Sequence, residues 1–301
     1  MGDVGQKTGA AAISIISNTL LVALKLAVGF ITGSVSILAE AVHSGVDLVA
    51  AVIAYIAVLF ADRPPDEAHA YGHGKYENIS GTVEAFLIVV AAAYIAYEAV
   101  IKIIEHAQVE RIGIGLIVML ISAVANWFVS GRLFKVARET DSIALETDGH
   151  HLRLDVYTSV GILVGLIIIY FTGISLIDQL LGLGVAVWIG WIGWQLSRKA
   201  VGPLLDLQLP AQEVERIATI IHSEPGVLGY HKLRTRKSGA YRHVDVHIIV
   251  PKNMSLSDAH NLAEGIEDKV RAEFDHTFIL THIEPEDAVS AIESLESKED
   301  G

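Results

Sequence analysis

The apolar positions of this chain form six long runs over its first two thirds, and shorter alternating patterns follow. A helix needs about 20 mostly apolar residues to cross the hydrocarbon core of a bilayer. Six segments reach that length with few polar side chains. We therefore predict a six-helix transmembrane transport domain over residues 1–202. Its spans are residues 10–32, 35–60, 79–101, 112–134, 151–171 and 174–196.

The pattern changes after Pro203. Strand-like alternation of apolar and polar residues appears there, together with amphipathic helical spacing and turn residues between the segments. The order reads α-β-β-α-β, with helices at 211–222 and 255–274 and strands at 228–237, 241–250 and 277–283. We predict a small α+β domain over residues 203–301, and the fold class is an α-helical membrane protein with this domain at its C-terminal end.

Basic residues predict the orientation of the spans, because cytoplasmic connections carry an excess of Lys and Arg. One set of connections is rich in them, whereas the opposite set holds only Lys102 and Arg111. The rich set should face the cytoplasm, and both termini and the tail should lie there too. Its members are Lys7, Arg63, Lys75, Arg132, Lys135, Arg138, Arg198 and Lys199.

The composition limits the class of protein, the partners and the metal ligands that are possible for this chain. Hydrophobic residues make up 52% of the chain, which is too many for an ordinary soluble domain. The tail from Pro203 carries 18 acidic and 10 basic residues, a balance that disfavours nucleic acid and suits cations. The sequence contains no cysteine, so any metal site must use His, Asp or Glu.

Two predicted spans each carry an imidazole and a carboxylate four residues apart. His43 and Asp47 lie in the second span, and His151 and Asp155 in the fifth. Residues at this spacing share one face of a helix, and ionisable groups inside a membrane are functional candidates by default. Two His and two Asp fit a tetrahedral zinc site. The alternative is a pair of hydrogen bonds that only hold helices together.

Arg153 lies two residues from each ligand candidate of the fifth span. At that spacing its side chain should point away from them. We expect it to reach Glu84 or Glu98 of the third span.

Two further groups of ligand types lie outside the membrane. The loop after the second span contains Asp66, His69 and His73, close enough in sequence to hold one ion, although a surface loop also tolerates such residues. The tail holds seven of the thirteen histidines. His231 and His247 fall on neighbouring predicted strands, and scattered surface histidines are the alternative.

At these residues the sequence resembles the cation diffusion facilitator family of metal/proton antiporters. The motifs occur in order along nearly the whole chain. They are H-S-x-x-D in the second span, D-x-x-H-x-Y-G-H-G-K in the loop, H-x-x-x-D in the fifth span, P-L-L-D after the sixth, and G-x-x-x-L-R-T-R-x-x-G with S-x-x-x-A-H in the tail.

The resemblance implies a homodimer with a metallochaperone-like cytoplasmic domain, a transport site at the two His–Asp pairs and a loop site at Asp66, His69 and His73. It also implies a charge pair of Lys75 with Asp206 and a buried acid at Asp178. A cytoplasmic metal site is implied at His231, His247, His260, His282 and Glu284. The family often has Asp where this chain has Glu284.

His43 at the first ligand position is associated, within the family, with zinc in preference to cadmium. Zinc is therefore the expected cargo, with cobalt, cadmium and ferrous iron behind it. The expected activity is proton-coupled efflux across a prokaryotic plasma membrane. An iron or manganese carrier is one alternative, and a membrane-tethered metal sensor that transports nothing is another. No enzyme motif stands out in the sequence.

Overall fold

In the computed structural model the chain forms two compact units, Met1–Gly202 and Pro203–Gly301. The structure describes residues 2–104, 114–172 and 176–287. The first unit is built of six long helices. They are α1 Gly2–Thr32, α2 Val35–Ala61, α3 Lys75–Ile104, α4 Ile114–Thr140, α5 Ile143–Thr172 and α6 Leu176–Val201.

Helices α1, α2, α3, α4 and α6 each contain a stretch long and apolar enough to cross a membrane. Helix α5 has 30 residues and packs against α3, α4 and α6. The six-helix membrane architecture is confirmed. Several helices begin earlier than predicted: α1 starts at Gly2 and α5 at Ile143. The added turns carry buried polar groups such as Lys7 and Asp148, which a search for apolar runs passes over.

Close helix contacts depend on small residues. A Cβ on Gly193 of α6 would lie 2.9 Å from Cγ2 of Val89 and 3.0 Å from Cγ2 of Ile88, both on α3. Contacts of that length are too short, so only glycine lets these two helices approach so closely. Tight packing of this kind is what holds helices together in lipid, where the hydrophobic effect between them is weak.

The second unit has two helices on a three-stranded sheet, and its elements confirm the predicted α+β class. Strand β2 (Tyr241–Val250) lies in the centre, antiparallel to β1 (Gly229–Ser238) and parallel to β3 (Thr277–Pro285). Its core joins Ile217 and Ile221 to Val246, Ile248 and Ile266. The elements are α7 Ala211–His222, β1 Gly229–Ser238, β2 Tyr241–Val250, α8 Leu256–Glu273 and β3 Thr277–Pro285.

Candidate metal centre

Three of the four predicted transport ligands meet inside the helix bundle. One ligand atom each of Asp47, His151 and Asp155 lies within 4.8 Å of the other two. Nε2 of His151 is 2.9 Å from Oδ1 of Asp47. Asp47 and His151 are 5% and 8% exposed. Two carboxylates and an imidazole in this arrangement offer the oxygen and nitrogen ligands that zinc takes.

The neighbouring helix α4 orients one of these ligands. Nδ2 of Asn126 donates to Oδ2 of Asp155 at 3.4 Å. Such outer partners fix the direction in which a ligand oxygen points. Sequence reasoning missed Asn126 because its amide is uncharged, and the candidates within the spans were chosen among ionisable side chains.

His43 is exposed and lies outside the three-residue cluster. It lines a cavity of about 80 Å³ together with Asp47 and Asp155, between helices α1, α2, α4 and α5. The structure therefore brings His43 to the same cavity without bringing it to ligand distance.

Lys25 of α1 is a second group that sequence reasoning passed over. It lines the same cavity and is only 5% exposed. Its Nζ donates to Oε2 of Glu40 at 3.1 Å and to Oγ of Ser44 at 2.7 Å. The signal was available, since a lysine within an apolar span has no ordinary place in a membrane.

Arg153 does not reach the third span, and that prediction was wrong. Its Nε donates to Oγ of Ser130 at 3.0 Å, and its guanidinium lies 3.8 Å from the centre of the Trp127 ring. Both partners belong to α4. The cation–π contact and the hydroxyl satisfy the guanidinium without a carboxylate.

The loop residues Asp66, His69 and His73 form a second cluster. Oδ1 of Asp66 lies 3.2 Å from Nδ1 of His69, and Oδ2 lies 3.2 Å from Nε2 of His73. Gly72, at φ +82°, turns the backbone between the two histidines. The backbone N–H of His69 and the two imidazoles hold the pKa of Asp66 below its usual value.

The tail brings together His231, His247 and Glu284. His231 pairs with His247 across β1 and β2, and β3 places Glu284 beside them. Nε2 of His231 is 2.8 Å from Oε2 of Glu284, and Nδ1 of His247 is 2.7 Å from Oε1. Burial alone would raise the pKa of Glu284, but the contacts with His247 and His231 outweigh it and hold that pKa below the usual value.

Two other predicted tail ligands lie at the edge of this group or away from it. Nε2 of His282 lies 3.5 Å from Oε1 of Glu284, and its ring is exposed. His260 lies on α8, where its Nε2 is 3.6 Å from Oε1 of Glu264. Among the described residues, no contact joins His260 to the cluster.

The charge pair of Lys75 with Asp206 and the buried acid at Asp178, both implied by the resemblance, stay predictions. Lys75 is the first residue of α3, and Asp206 follows the 3₁₀ turn Gly202–Leu205 in the other unit. Within its own unit, Oδ1 of Asp206 accepts from Nη1 of Arg236 at 3.1 Å. The side chain of Asp178 lies outside the described residues.

Comparison with known proteins decides the family. Residues 11–205 match the model of the cation efflux transmembrane domain, and residues 209–286 match the model of the cation efflux protein cytoplasmic domain. The chain belongs to the cation efflux family. This cation efflux protein is accordingly an integral membrane transporter of divalent metal ions, and the resemblance to the cation diffusion facilitators is confirmed.

Relatives of this cation efflux protein match it over most of its length. An uncharacterized transporter of Synechocystis sp. is 33% identical, over 91% of this chain and 89% of its own. The cation-efflux pump FieF of Klebsiella pneumoniae is 31% identical, over 96% of both chains. A solved structure of the transporter CzrB in its zinc form is 30% identical over 26% of this chain and 91% of its own, with a TM-score of 0.25.

Proposed function

We propose that this protein exports Zn²⁺ from the cytoplasm in exchange for protons. The observation that carries the proposal is the buried cluster of Asp47, His151 and Asp155, contributed by two helices of a membrane bundle. Two carboxylates balance the +2 charge of the ion, and the imidazole favours zinc over harder cations. His43, at the cavity they share, is the fourth ligand once the helices move.

A purely structural role fits this cluster poorly. A single hydrogen bond between His151 and Asp47 would be enough to join α5 to α2. The cluster adds Asp155, a second carboxylate in a low-dielectric interior, and that is costly without a cation. A helix bundle that needed only a hydrogen bond between α2 and α5 would not retain the additional carboxylate of Asp155.

Proton coupling follows from the imidazoles. A protonated histidine cannot ligate a metal, so protons and zinc compete for one site. The site binds zinc while open to the cytoplasm, the helices rock, and protons displace the ion on the other side. An inward proton gradient then drives export.

The tail cluster would sense cytoplasmic metal. His231, His247, His282 and Glu284 hold an ion when zinc is abundant, and binding tightens the tails of a homodimer. Activity then rises because metal shifts the population toward the tightened state. The match of residues 209–286 to a cytoplasmic dimer domain of cation efflux proteins supports the homodimer, and the cluster of His231, His247 and Glu284 supports the metal site. The bacterial relatives support a prokaryotic plasma membrane.

The deciding experiment is zinc flux into sealed proteoliposomes under an imposed pH gradient, with native protein beside Asp47→Ala. Flux that follows the gradient and is lost in the variant supports the proposal. Folded native protein that moves no zinc but moves Fe²⁺ or Mn²⁺ would assign another cargo. A protein that moves no metal and binds zinc in its tail would be a sensor.

The same assay tests the role of His43. The family resemblance associates His at this position with zinc in preference to cadmium, so His43→Asp should relax that preference. We expect the ratio of cadmium to zinc transport to rise. An unchanged ratio would exclude His43 from the transport ligands.

A further inference from the structure

A buried polar series runs along α3 from the start of the helix toward the metal centre. Glu77, Ser80 and Glu84 follow one another at spacings of three and four residues, which places them on one face of the helix. Each is 1% exposed. Helix α5 adds Asp148 at 2% exposure. None of these residues belongs to the metal-ligand clusters of the described chain.

No donor among the described residues makes a hydrogen bond of good geometry to the carboxylate of Glu84. Both of its oxygens are buried and unpartnered, and so is Oδ2 of Asp148. The hydroxyl of Thr147 lies close to Glu84, but its hydrogen is directed to the backbone carbonyls of Ile143 and Ala144, 2.9 and 3.0 Å away. Buried polar atoms without partners are rare, and each one needs a physical reason.

Close packing of α3 on α5 brings the two acids together. A Cβ on Gly81 would lie 3.5 Å from Cγ2 of Thr147, so the helices touch at that level. Glu84 comes one turn after Gly81, and Asp148 comes directly after Thr147. Glu84 is close enough to Asp148 for their negative charges to repel each other, and His151, one turn after Asp148 on the same face of α5, is close enough to attract both. Asp148 also lies within electrostatic range of Asp47 on α2, and its carboxylate is close to the hydroxyl of Ser14 on α1.

Two carboxylates that face each other away from water cannot both stay charged without a cation. A metal ion fits poorly here. The cavity at the metal centre is lined by neither Glu84 nor Asp148, and neither acid belongs to a group of three potential metal ligands among the described residues. A proton needs no cavity, and a neutral carboxyl donates its own hydrogen bond. The occupant that this geometry suits is a proton.

We propose that Glu84 and Asp148 form a proton-holding pair through which protons displaced from the metal centre leave toward the inner end of the bundle. The proposal rests on the proton-coupled function above. With one proton shared, the pair carries one negative charge. It accepts the displaced proton, becomes neutral, and then releases a proton along the face of α3. Chains of buried acids mark proton relays in other membrane proteins.

Polar groups continue the series from the pair to the end of the bundle. Ser80 lies one turn before Glu84, and Glu77 lies one turn before Ser80. Glu77 accepts hydrogen bonds from Nζ of Lys7 at 3.1 Å and from the hydroxyl of Ser142. Lys7 also reaches Oδ1 of Asp62, which follows the last residue of α2. This network leads to the end that the positive-charge rule assigns to the cytoplasm.

The experiment separates movement of metal from movement of protons. Purified full-length protein is placed in proteoliposomes, and two rates are measured: net zinc flux driven by a pH gradient, and exchange of isotopic zinc for zinc at equal pH. The variants are Glu84→Gln and Asp148→Asn, which keep the size of the side chain but cannot bind and release a proton. The control is Glu98→Gln, the same change further along α3.

We expect Glu84→Gln and Asp148→Asn to slow net flux by about 10²-fold, the usual scale of a lost proton-transfer group. Zinc–zinc exchange should stay within about threefold of native, since no net proton moves in that mode and the metal ligands are intact. Glu98→Gln should preserve both rates. If folded Glu84→Gln and Asp148→Asn lose both net flux and zinc–zinc exchange, or if they lose neither, the proposal is overturned.

Failure of the proposed function has a different signature, because native protein would then show no gradient-driven flux at all. Infrared spectroscopy gives an independent readout that does not depend on transport. Native protein should show the carbonyl band of a protonated buried carboxylic acid, and this band should weaken in Glu84→Gln or Asp148→Asn but not in Glu98→Gln. A native spectrum without that band would contradict the pair's protonation.

Discussion

Nε2 of His151 lies 2.9 Å from Oδ1 of Asp47, so the imidazole of α5 pairs with the carboxylate of α2 and not with Asp155 on its own helix. The site is therefore formed by side chains of both α2 and α5. Relative movement of α2 and α5 would pull the ligand set apart, which is how a transporter of alternating access changes affinity between its two sides.

Removing Asp155 should abolish zinc binding at this centre. We expect Asp155→Asn to weaken zinc affinity by more than the roughly 10- to 100-fold typical of losing an outer partner, because a charged ligand is lost. Isothermal titration at the transport site checks this, with the tail cluster disabled by Glu284→Gln and the loop cluster by Asp66→Asn in both proteins. The control is Asp141→Asn, an exposed position between α4 and α5. Native affinity in Asp155→Asn would remove this residue from the site.

Lys25 should weaken metal binding at the cavity it lines, because its ammonium repels a cation. We expect Lys25→Met to tighten zinc binding by about tenfold and to slow release, since a fixed positive charge nearby is then gone. Zinc titration and turnover in proteoliposomes measure both effects. Lys25→Arg keeps the charge and should bind as native does. Equal or weaker affinity in Lys25→Met would show that Lys25 only ties α1 to α2.

The end of the bundle at which α1 and α3 begin is stabilised by a buried lysine. Lys7 is 2% exposed and is the ion-pair partner of both Asp62 and Glu77, at 3.0 and 3.1 Å. Lys7→Met leaves the buried Glu77 and the half-buried Asp62 without their cation, and we expect a loss of stability of about 3–5 kcal/mol. Thermal unfolding in detergent measures it. Lys135→Met, where Nζ is 3.9 Å from exposed Glu139, should change stability by no more than about 0.5 kcal/mol.

Glu284 should stabilise the metal-free tail in a pH-dependent way. Its pKa lies below the usual Glu value, so its contribution is present above the unfolded pKa and is lost as pH falls through the folded one. In chelator near pH 7, Glu284→Gln should open strands β1–β3 more easily, by about 1 kcal/mol. Hydrogen exchange of native and variant, compared at each pH, checks this. A difference that persists at acid pH, well below the folded pKa, would contradict the assignment.

Three features of this protein followed from the residues alone. Runs of apolar residues specify helices that cross a membrane, because a bilayer satisfies no backbone polar group. The four-residue spacing of His43 with Asp47 and of His151 with Asp155 specifies a shared helix face. The alternation in 241–250 specifies a strand with one buried side. Each is a local property, set by the period of the backbone.

Tertiary structure decided which faces meet. Periodicity gave Arg153 a direction on its own helix, but only packing placed it on Trp127 of α4 and away from the acids of α3. The same limit hid Glu84 and Asp148, whose importance lies in their closeness to each other across two packed helices. Helix spacing orders side chains around one axis, and the neighbour they meet depends on how all six axes pack together. That choice is made by the whole bundle and by its close contacts at glycine.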